Sequence, residues 1–231
     1  MVEEEASVSD GIVSATSFSY EGILLKNLPV GLLYDLYQPQ LPWQISLGNG
    51  PLYEMHDTFI NSVKEADFIR NGTAKGIMSM SKDDSTQLWN SVQDSKYRLS
   101  AFWISSTDFK PDDFRTFHKI HQMLLNPPTP LKHIPLRLYV PSVPSATTGL
   151  GSFKIIQMLI QPMTTSHEVQ SMGSALSLIL PSLFPSPGKA ILAEPILHGA
   201  PVPLHAPLIE LMREAAFADG WLHMCIRMLD G

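Results

Sequence analysis

The stretch IPLRLYV (134–140) decides how the C-terminal half of this 231-residue chain folds. Every second residue of the stretch is aliphatic, which is the two-residue period of a half-buried β-strand. Pro135 interrupts the pattern, and a proline has no backbone N–H to donate to a neighbouring strand. The sequence therefore predicts a strand over 134–140 that lies at a sheet edge or carries a bulge.

Further strands are predicted downstream of this first one. Ile156, Met158 and Ile160 recur at every second position and predict the inward face of a second strand. A short strand is predicted over 191–197, and the stretch WLHMCIRM (221–228) alternates in the same way. These strands need apolar cover on at least one side of the sheet.

Two helices between the strands can supply that cover. One predicted amphipathic helix carries its apolar residues at helical spacing, namely Met172, Leu176, Ile179 and Leu183. A second is predicted over 207–218, with proline near its start and Gly220 just past its end. Two strands, a helix and a return to strand is the order of a β-grasp, the ubiquitin-like fold. We therefore expect a ubiquitin-like domain over 134–229.

The first fifty residues are predicted to hold a tail and a small folded segment. Residues 1–17 are small, polar and acidic without a sustained period, which is typical of a mobile tail. A short strand is predicted over 23–25, and Pro29 can begin a helix over 30–37. Alternating apolar residues then predict a strand over 43–47.

Residues 54–125 contain one proline and show helical periodicity. One predicted helix has the apolar stripe Phe59, Ile60, Val63 and Ala66. Ser81 precedes two acidic residues, a pattern that favours a helix start, and a third helix is predicted over 112–125. We expect a helix-rich domain here, followed by a proline-rich linker over 126–133.

Composition excludes several classes of protein. The formal net charge of −6 argues against a general nucleic-acid binder, which needs clustered lysine and arginine. Few basic residues interleave with Trp89, Trp103 and Trp221, so these rings are expected in the core rather than stacked on bases. No secretory signal and no stretch of about 20 apolar residues is present. With one cysteine, the chain is expected to be soluble and to reside in a reducing compartment.

Candidate catalytic and metal-binding residues are few. Cys225 and His223 share a strand face, but alternate residues of a strand lie about 7 Å apart, too far for a nucleophile–base hydrogen bond. His118 and His121 could reach one metal from a helix, but no third ligand accompanies them. Gly149-Leu150-Gly151 is half of a dinucleotide-binding motif and precedes a strand, so a flexible turn is favoured. We expect no catalytic, metal or cofactor site.

Several stretches, taken together, resemble the autophagy protein 5 family. They read YEGILLKNLPVGLLYDLYQPQLPWQISL (20–47), FINSVKEADFIR (59–70), QLWNSVQDSKY (87–97), IPLRLYV (134–140) and ILHGAPVPLHAPLIELMREAAFADGWLHMCI (196–226). Within them, the short elements Tyr-Glu-Gly, Pro-x-Gly-Leu-Leu, Leu-Pro-Trp and Lys-Glu-Ala-Asp occur in the order found in that family. The resemblance covers about residues 18–228.

The resemblance implies an α+β fold and a scaffold without catalytic residues of its own. Two ubiquitin-like domains would flank a helix-rich domain, and no cofactor is implied. The ubiquitin-like autophagy protein 12 would be attached to one lysine by activating and conjugating enzymes that bind transiently. Autophagy protein 16 would bind non-covalently through a helix. The complex would promote transfer of autophagy protein 8 to phosphatidylethanolamine, with the scaffold cytoplasmic and peripheral on the phagophore assembly site membrane.

The family's acceptor lysine lies in its Lys-Glu-Ala-Asp element, which matches Lys64-Glu65-Ala66-Asp67. Lys64 falls on the flank of the predicted apolar stripe, where its stem can cover the apolar rim while the ammonium stays reachable. The resemblance therefore implies Lys64 as the isopeptide acceptor, with Lys75 and Lys82 as the next lysines along the chain. Glu65 and Asp67 are expected to matter less than Lys64, by orienting the helix surface against the conjugating machinery.

The chain departs from the family at its start. Family members carry an additional segment before Tyr-Glu-Gly, whereas only residues 1–19 precede that element here. We therefore expect 18–50 to be a remnant of the first ubiquitin-like domain, in a truncated gene model or splice variant. Two alternatives stay open: a ubiquitin-fold binding module without covalent modification, and an enzyme that uses Cys225.

Overall fold

The computed structural model describes residues 17–49, 55–93, 131–142 and 152–229. The strands are β1 (Ser17–Tyr20), β2 (Ile23–Leu24), β3 (Ser46–Gly48), β4 (Leu136–Pro141), β5 (Phe153–Gln157), β6 (Ala193–Leu197), β7 (Ala200–Pro201) and β8 (Leu222–Met228). The helices are α1 (Val30–Tyr37), α2 (Met55–Asn71), α3 (Lys75–Met78), α4 (Lys82–Gln93), α5 (Met172–Ile179) and α6 (Leu208–Ala215).

The C-terminal strands form one mixed sheet in the order β5–β4–β8–β6–β7. β4 and β8 run parallel at its centre, with Leu136 opposite Leu222, and the other neighbouring strands are antiparallel. Placing the first and last long strands side by side is the β-grasp arrangement. The predicted α+β class, with a ubiquitin-like domain at the C-terminus and a helix-rich region before it, is confirmed.

One face of this sheet carries the main hydrophobic core beneath α5 and α6. Alternate residues of β4 and β8 point into it, as the two-residue period requires. Its buried members include Leu136, Leu138, Met172, Leu176, Leu208, Leu222, Met224 and Ile226. Since a buried aliphatic side chain contributes about 1.5–3 kcal/mol, this cluster is the largest source of stability in the described chain.

The opposite face of the sheet is also covered, by α1. Leu32 of α1 is fully buried against Tyr139, Ile196 and Cys225. The first five residues of β8 are buried in succession, which is the pattern of a strand that is covered on both faces. The sheet therefore lies inside the molecule, between α5 and α6 on one side and α1 on the other.

The segment around α1 forms a small sheet of its own, in the order β2–β1–β3. Phe18 of β1 lies opposite Leu47 of β3, and both side chains are exposed. The Trp43 ring packs edge to face against Tyr20 and Tyr34, with centroid separations of 6.0 and 6.2 Å. These aromatic contacts join the small sheet to α1.

Helices α2, α3 and α4 share a buried cluster of Val63, Ile77 and Leu88. The predicted start of α4 is confirmed, since the Ser81 hydroxyl accepts a hydrogen bond from the Asp84 N–H at 3.0 Å. The predicted helix over 112–125 and most of the predicted linker lie outside the described residues.

The predicted strand over 43–47 is wrong in its extent, since β3 covers Ser46–Gly48. β3 pairs with Ser17 to Ser19, and the last residue of β1, Tyr20, pairs with Ile23 of β2 and not with β3. β1 therefore offers partners to only three residues of β3, and the ring of Trp43 takes part in the aromatic packing instead.

The predicted edge position for the strand containing Pro135 is also wrong. β4 begins one residue later, at Leu136, and lies between β5 and β8. The Pro135 carbonyl accepts a hydrogen bond from the Leu222 N–H at 2.8 Å. A proline just before a strand therefore keeps its one backbone hydrogen-bonding group in use and does not interrupt the sheet.

Two predicted elements end earlier than expected. β5 ends at Gln157, so Met158 lies beyond the strand and is exposed rather than inward. α5 ends at Ile179, two residues before Pro181, because proline cannot continue a helix. Leu183 still packs against the main core, but from the turn that follows the helix.

Helix α6 is shorter than the predicted 207–218. It ends at Ala215, and the Phe217 N–H then donates to the Trp221 carbonyl at 2.8 Å. Gly220 adopts a φ of +81° in this turn, a conformation that glycine accepts without strain. Gly220 therefore serves the entry to β8 rather than the end of the helix.

We expect Gly173→Ala to destabilise the protein by about 2–3 kcal/mol. Gly173 is the second residue of α5, and an added Cβ would overlap the backbone carbonyl oxygen of Pro187 and lie 3.0 Å from Leu204 Cβ. This overlap outweighs the gain of about 1 kcal/mol in helix propensity. The change is measured as the free energy of unfolding in urea.

Gly31→Ala is the matched control, since Gly31 is the second residue of α1 and a Cβ there meets no atom within 4 Å. It should stabilise by up to about 1 kcal/mol. Equal effects of the two substitutions would contradict the packing described for α5.

Candidate modification site

Helix α2 carries Lys64, the predicted acceptor. The helix contains neither glycine nor proline, and it places Asp57 in its first turn and Arg70 in its last, as the helix dipole favours. It ends at Asn71, and the next residue, Gly72, has a φ of +71° and donates its N–H to the Phe68 carbonyl at 2.7 Å. Because α2 is a regular helix along its length, the place of each residue in its sequence determines the direction in which the side chain leaves the helix.

Lys64 is half-buried at the rim of α2. Ile60, one turn earlier, and the adjacent Val63 are buried, whereas Phe68, one turn later, is exposed. A lysine at such a rim can lay its aliphatic stem along apolar surface while the ammonium reaches solvent. The geometry allows an external group to reach Nζ without unfolding the helix.

The two residues after Lys64 contact the ubiquitin-like domain. Glu65 forms an ion pair with Arg137 of β4. Ala66 is fully buried, and its Cβ lies 3.5 Å from the place that a side chain on Gly220 would occupy. A residue larger than alanine at position 66 would therefore meet the turn that leads into β8.

Asp67 turns towards α3 and is buried. Its carboxylate accepts a hydrogen bond from Asn71 Nδ2 at 2.6 Å and lies 3.4 Å from the donating Ile77 N–H, in the first turn of α3. The N-cap residue of α3, Ala74, has no side-chain acceptor, so Asp67 supplies the negative charge that this helix start favours. The Asp67 carboxylate is buried between two helices, so any effect of Asp67 on the outer surface of α2 has to act through the packing of α2 against α3.

Ser62, two residues before Lys64, is held by three groups of the ubiquitin-like domain. Its backbone carbonyl accepts a hydrogen bond from Trp221 Nε1 at 2.9 Å, and its hydroxyl donates to Asp219 at 2.7 Å. Arg137 Nη1 donates to the same hydroxyl at 3.1 Å, and the guanidinium lies 3.8 Å from the centre of the Trp221 ring. These contacts fix the position of α2 near its middle.

A chain of buried polar groups continues from Ser62 into the sheet. His223 Nε2 lies 3.0 Å from the Asp219 carboxylate, and His223 Nδ1 lies 2.8 Å from the Tyr139 hydroxyl. Burial opposes ionisation of Asp219, but attraction to His223 and hydrogen bonds from His223, Ser62 and the Trp221 backbone together lower its pKa below the ordinary value. Burial raises the pKa of Tyr139. Asp219 is therefore the ionised centre of this network at neutral pH.

Arg70 forms a second attachment of α2, two turns beyond Ser62. Its guanidinium is buried and donates to the Gly220 carbonyl at 2.7 Å. Burial lowers the pKa of Arg70 to about 10, and the charges of Asp67 and Asp219 act in the opposite direction. The side chain therefore stays charged at neutral pH and fixes the last turn of α2 to the turn before β8.

Cys225 and His223 are not brought together as a catalytic pair. Cys225 is buried beneath α1, with Sγ 3.9 Å from the Leu32 carbonyl, while both ring nitrogens of His223 have the other partners described above. Burial, followed by the charge of Asp35, raises the pKa of the Cys225 thiol. A buried thiol with a raised pKa has little of the nucleophilic thiolate.

Two of the three tryptophans that were expected in the core lie in the described ranges. Trp221 is fully buried, and Trp89 is half-buried against Phe59. His118, His121, Trp103 and residues 149–151 lie outside the described residues. Within the described ranges, no three histidine, cysteine or acidic side chains converge as ligands for a metal ion. No helix of those ranges is both long and apolar enough to cross a bilayer.

Sequence reasoning did not identify Arg137, Asp219 or Arg70 as parts of this site. Each is a single charged residue in or near an alternating or helical pattern. In such a pattern, a charged side chain is normally expected on the face that is exposed to solvent. One signal was present: His223, Cys225 and Arg227 alternate with the core residues of β8 and so lie on the second face of a central strand.

Two models of protein-domain families match this chain. Residues 133–226 match the family model described as "Autophagy protein ATG5, UblB domain", and residues 53–112 match "Autophagy protein ATG5, alpha-helical bundle region". The chain is 60% identical to the autophagy protein 5 of Sclerotinia sclerotiorum, over 94% of this chain and 83% of that protein. It is 50% identical to the autophagy protein 5 of Chaetomium globosum, over 93% of this chain and 72% of that one.

The fold is also similar to that of a solved structure. The crystal structure of Kluyveromyces marxianus Atg5 superposes with a TM-score of 0.66 over 91% of this chain and 72% of that chain. The two sequences are 22% identical, so this likeness concerns the fold alone. None of these descriptions names an enzyme.

We expect Asp219→Asn to destabilise the protein by about 2–3 kcal/mol at pH 7, because it removes the charged acceptor of buried hydrogen bonds. Since the pKa of Asp219 is lowered on folding, its contribution is present above the ordinary carboxyl pKa and is lost as the pH falls through the lowered value. The difference between wild type and variant should therefore shrink below about pH 4. Urea unfolding at pH 7 and pH 3 measures both quantities.

Asp83→Asn is the control, since Asp83 is an exposed acid in the first turn of α4. It should cost no more than about 0.5 kcal/mol at either pH. A penalty for Asp219→Asn that is the same at both pH values would show that its charge is not the source of the effect.

Proposed function

The chain belongs to the autophagy protein 5 family, and we propose that it acts in autophagy as a scaffold that accepts a ubiquitin-like protein covalently at Lys64. The ubiquitin-like protein is autophagy protein 12, joined through its C-terminal glycine. Autophagy protein 16 binds the scaffold non-covalently through a helix, and the complex promotes lipidation of autophagy protein 8. The scaffold has no catalytic role of its own in the transfer.

The arrangement of the Lys-Glu-Ala-Asp element is the observation that carries this proposal. Glu65 is paired with Arg137, Ala66 is buried beside the Gly220 turn, and Asp67 is buried at the start of α3. Lys64 is the member of the element that lies at the helix rim. The last three residues of the element thus hold α2 in place, and Lys64 is the one that an incoming group is proposed to reach.

The reaction at Lys64 is an acyl transfer from a thioester to an amine. The ammonium first loses one proton to water or to a base of the conjugating enzyme. The neutral Nζ then attacks the thioester carbonyl, a C–N bond forms and the C–S bond to the enzyme's cysteine breaks. The amine's second proton leaves with the sulfur as a thiol, so the products are an isopeptide and a free cysteine.

The domain organisation suits a scaffold that other chains bind. We propose a first ubiquitin-like segment at 18–50, a helix-rich domain at 54–125 and a second ubiquitin-like domain at 134–229, joined by the linker at 126–133. The contacts of α1 and α2 with the C-terminal domain support this organisation, because they join the first segment and the helix-rich domain to the second ubiquitin-like domain. Activating and conjugating enzymes would bind transiently, and the complex would be cytoplasmic and peripheral on the phagophore assembly site membrane.

We expect Lys64→Arg to abolish the covalent adduct with autophagy protein 12. Arginine keeps the charge and most of the length of lysine but cannot deprotonate in a protein, so it cannot act as the nucleophile. Because the position lies at the helix rim, stability should change by no more than about 0.5 kcal/mol. Reconstitution with the matching activating and conjugating enzymes, read on a denaturing gel, measures the adduct.

Lys75→Arg and Lys82→Arg are the matched controls, since each replaces a lysine near the start of a neighbouring helix. Both should leave the adduct at the wild-type level. An undiminished band in Lys64→Arg would move the acceptor to one of these lysines. Non-covalent binding without an adduct in the wild type would instead favour a ubiquitin-fold binding module.

A further inference from the structure

Helix α2 is attached to the ubiquitin-like domain on both sides of Lys64 in sequence. Ser62 is bound before it and Glu65 directly after it, and the same side chain, Arg137, contacts both. These contacts lie on the flank of α2 that faces the sheet, while Asp67 and Val63 hold the flank that faces α3 and α4. The rotation of α2 about its axis is therefore fixed from two directions.

The chemistry of Arg137 suits such an attachment. One terminal nitrogen donates to the Ser62 hydroxyl at 3.1 Å, and the other pairs with the Glu65 carboxylate. The guanidinium carbon, Cζ, also lies 3.8 Å from the centre of the Trp221 ring, and this contact restricts the position of the side chain further. A lysine would provide the charge without the rigid planar fork that reaches two partners at once.

Small changes in helix rotation move a side chain far. Side chains lie about 5–6 Å from a helix axis, so a rotation of 20° displaces them by about 2 Å. A misplacement of about 1 Å between reacting groups can slow a reaction by about 100-fold. The orientation of α2 thus affects how Nζ of Lys64 meets a thioester that is held on another protein.

We propose that Arg137 of the ubiquitin-like domain is a positioning residue for Lys64, acting through Ser62 and Glu65 on α2. The inference rests on the proposed function, because it concerns the geometry of the same acyl transfer. It makes the ubiquitin-like domain a structural part of the acceptor site, although its residues do not touch the reacting atoms.

The test compares Arg137→Met with Arg227→Met in the full chain. Arg227 is the matched control because it also lies on the sheet and pairs with an acid, Glu194, but does so within the ubiquitin-like domain. The rate of transfer to Lys64 is measured with saturating conjugating enzyme that carries autophagy protein 12 as its thioester. Circular dichroism at the assay temperature establishes that both variants are folded.

Arg137→Met should lower the maximal transfer rate at least about tenfold, with a smaller change in the half-saturating concentration of the conjugating enzyme. Arg227→Met should stay within about twofold of wild type, as expected for an ion pair away from α2. Labelling of Lys64 by a small amine-reactive ester, read by mass spectrometry, should be equal in all three proteins, since such a reagent approaches from any direction. Equal transfer rates in the two variants, or a matching loss of ester labelling in Arg137→Met, would overturn the proposal.

Glu65→Gln is the second variant, and it decides the matter if Arg137→Met does not fold. It removes the charge of Glu65, the exposed partner of Arg137, and leaves the buried contacts of α2 in place. Its transfer rate should fall severalfold, and a rate equal to wild type would overturn the proposal. Lys64→Arg in the same assay separates the proposed acceptor from the proposed positioning role. If Lys64→Arg keeps the adduct, the proposed acceptor is wrong. If Lys64→Arg loses the adduct while Arg137→Met and Glu65→Gln keep the wild-type rate, only the positioning role is wrong.

Discussion

Parallel pairing of β4 with β8 brings together residues from the two ends of the ubiquitin-like domain. The pairing sets Arg137 beside His223 and Tyr139 beside Cys225. It places Leu136, Leu138, Met224 and Ile226 on one face, under α5 and α6. On the other face it gathers the polar and aromatic side chains that meet α1 and α2. Because strand residues alternate between faces, one register determines both the core and the surface that receives the helices.

The region around Lys64 shows how such a surface holds a helix in place. An acidic residue and a small residue of α2, Glu65 and Ala66, fit the sheet side, and Asp67 fits the side of α3. The motif around Lys64 is thus constrained mainly by intramolecular packing. Substitutions at its three other residues are expected to act through the orientation of α2, and recognition by another protein has to come from the residues that stay exposed.

Much of the fold was predictable because local periodicity reports burial. The alternation in 134–140 and 221–228 identified the two central strands, and the apolar stripe from Phe59 to Ala66 identified α2. The position of Pro135 was misjudged because its effect depends on whether the strand starts before or after it, which a two-residue period does not reveal. Lys64 came from a resemblance, whereas Arg137 and Asp219 were not identified, since their partners lie far away in sequence and a lone charge in a strand or turn is usually solvated.

The central place of β8 also has a consequence for how the chain is made. Tyr139 and His223, neighbours across the β4–β8 pair, are 84 residues apart in sequence. At the usual synthesis rate of 5–20 residues per second, a ribosome needs roughly 4–17 seconds to make the intervening chain. During that interval β4 can pair with β5 on one side only, and its inward leucines lack the strand that completes their core. The nascent domain therefore passes through a period in which an apolar strand edge is open, and this is the stage at which a chaperone would have most to protect.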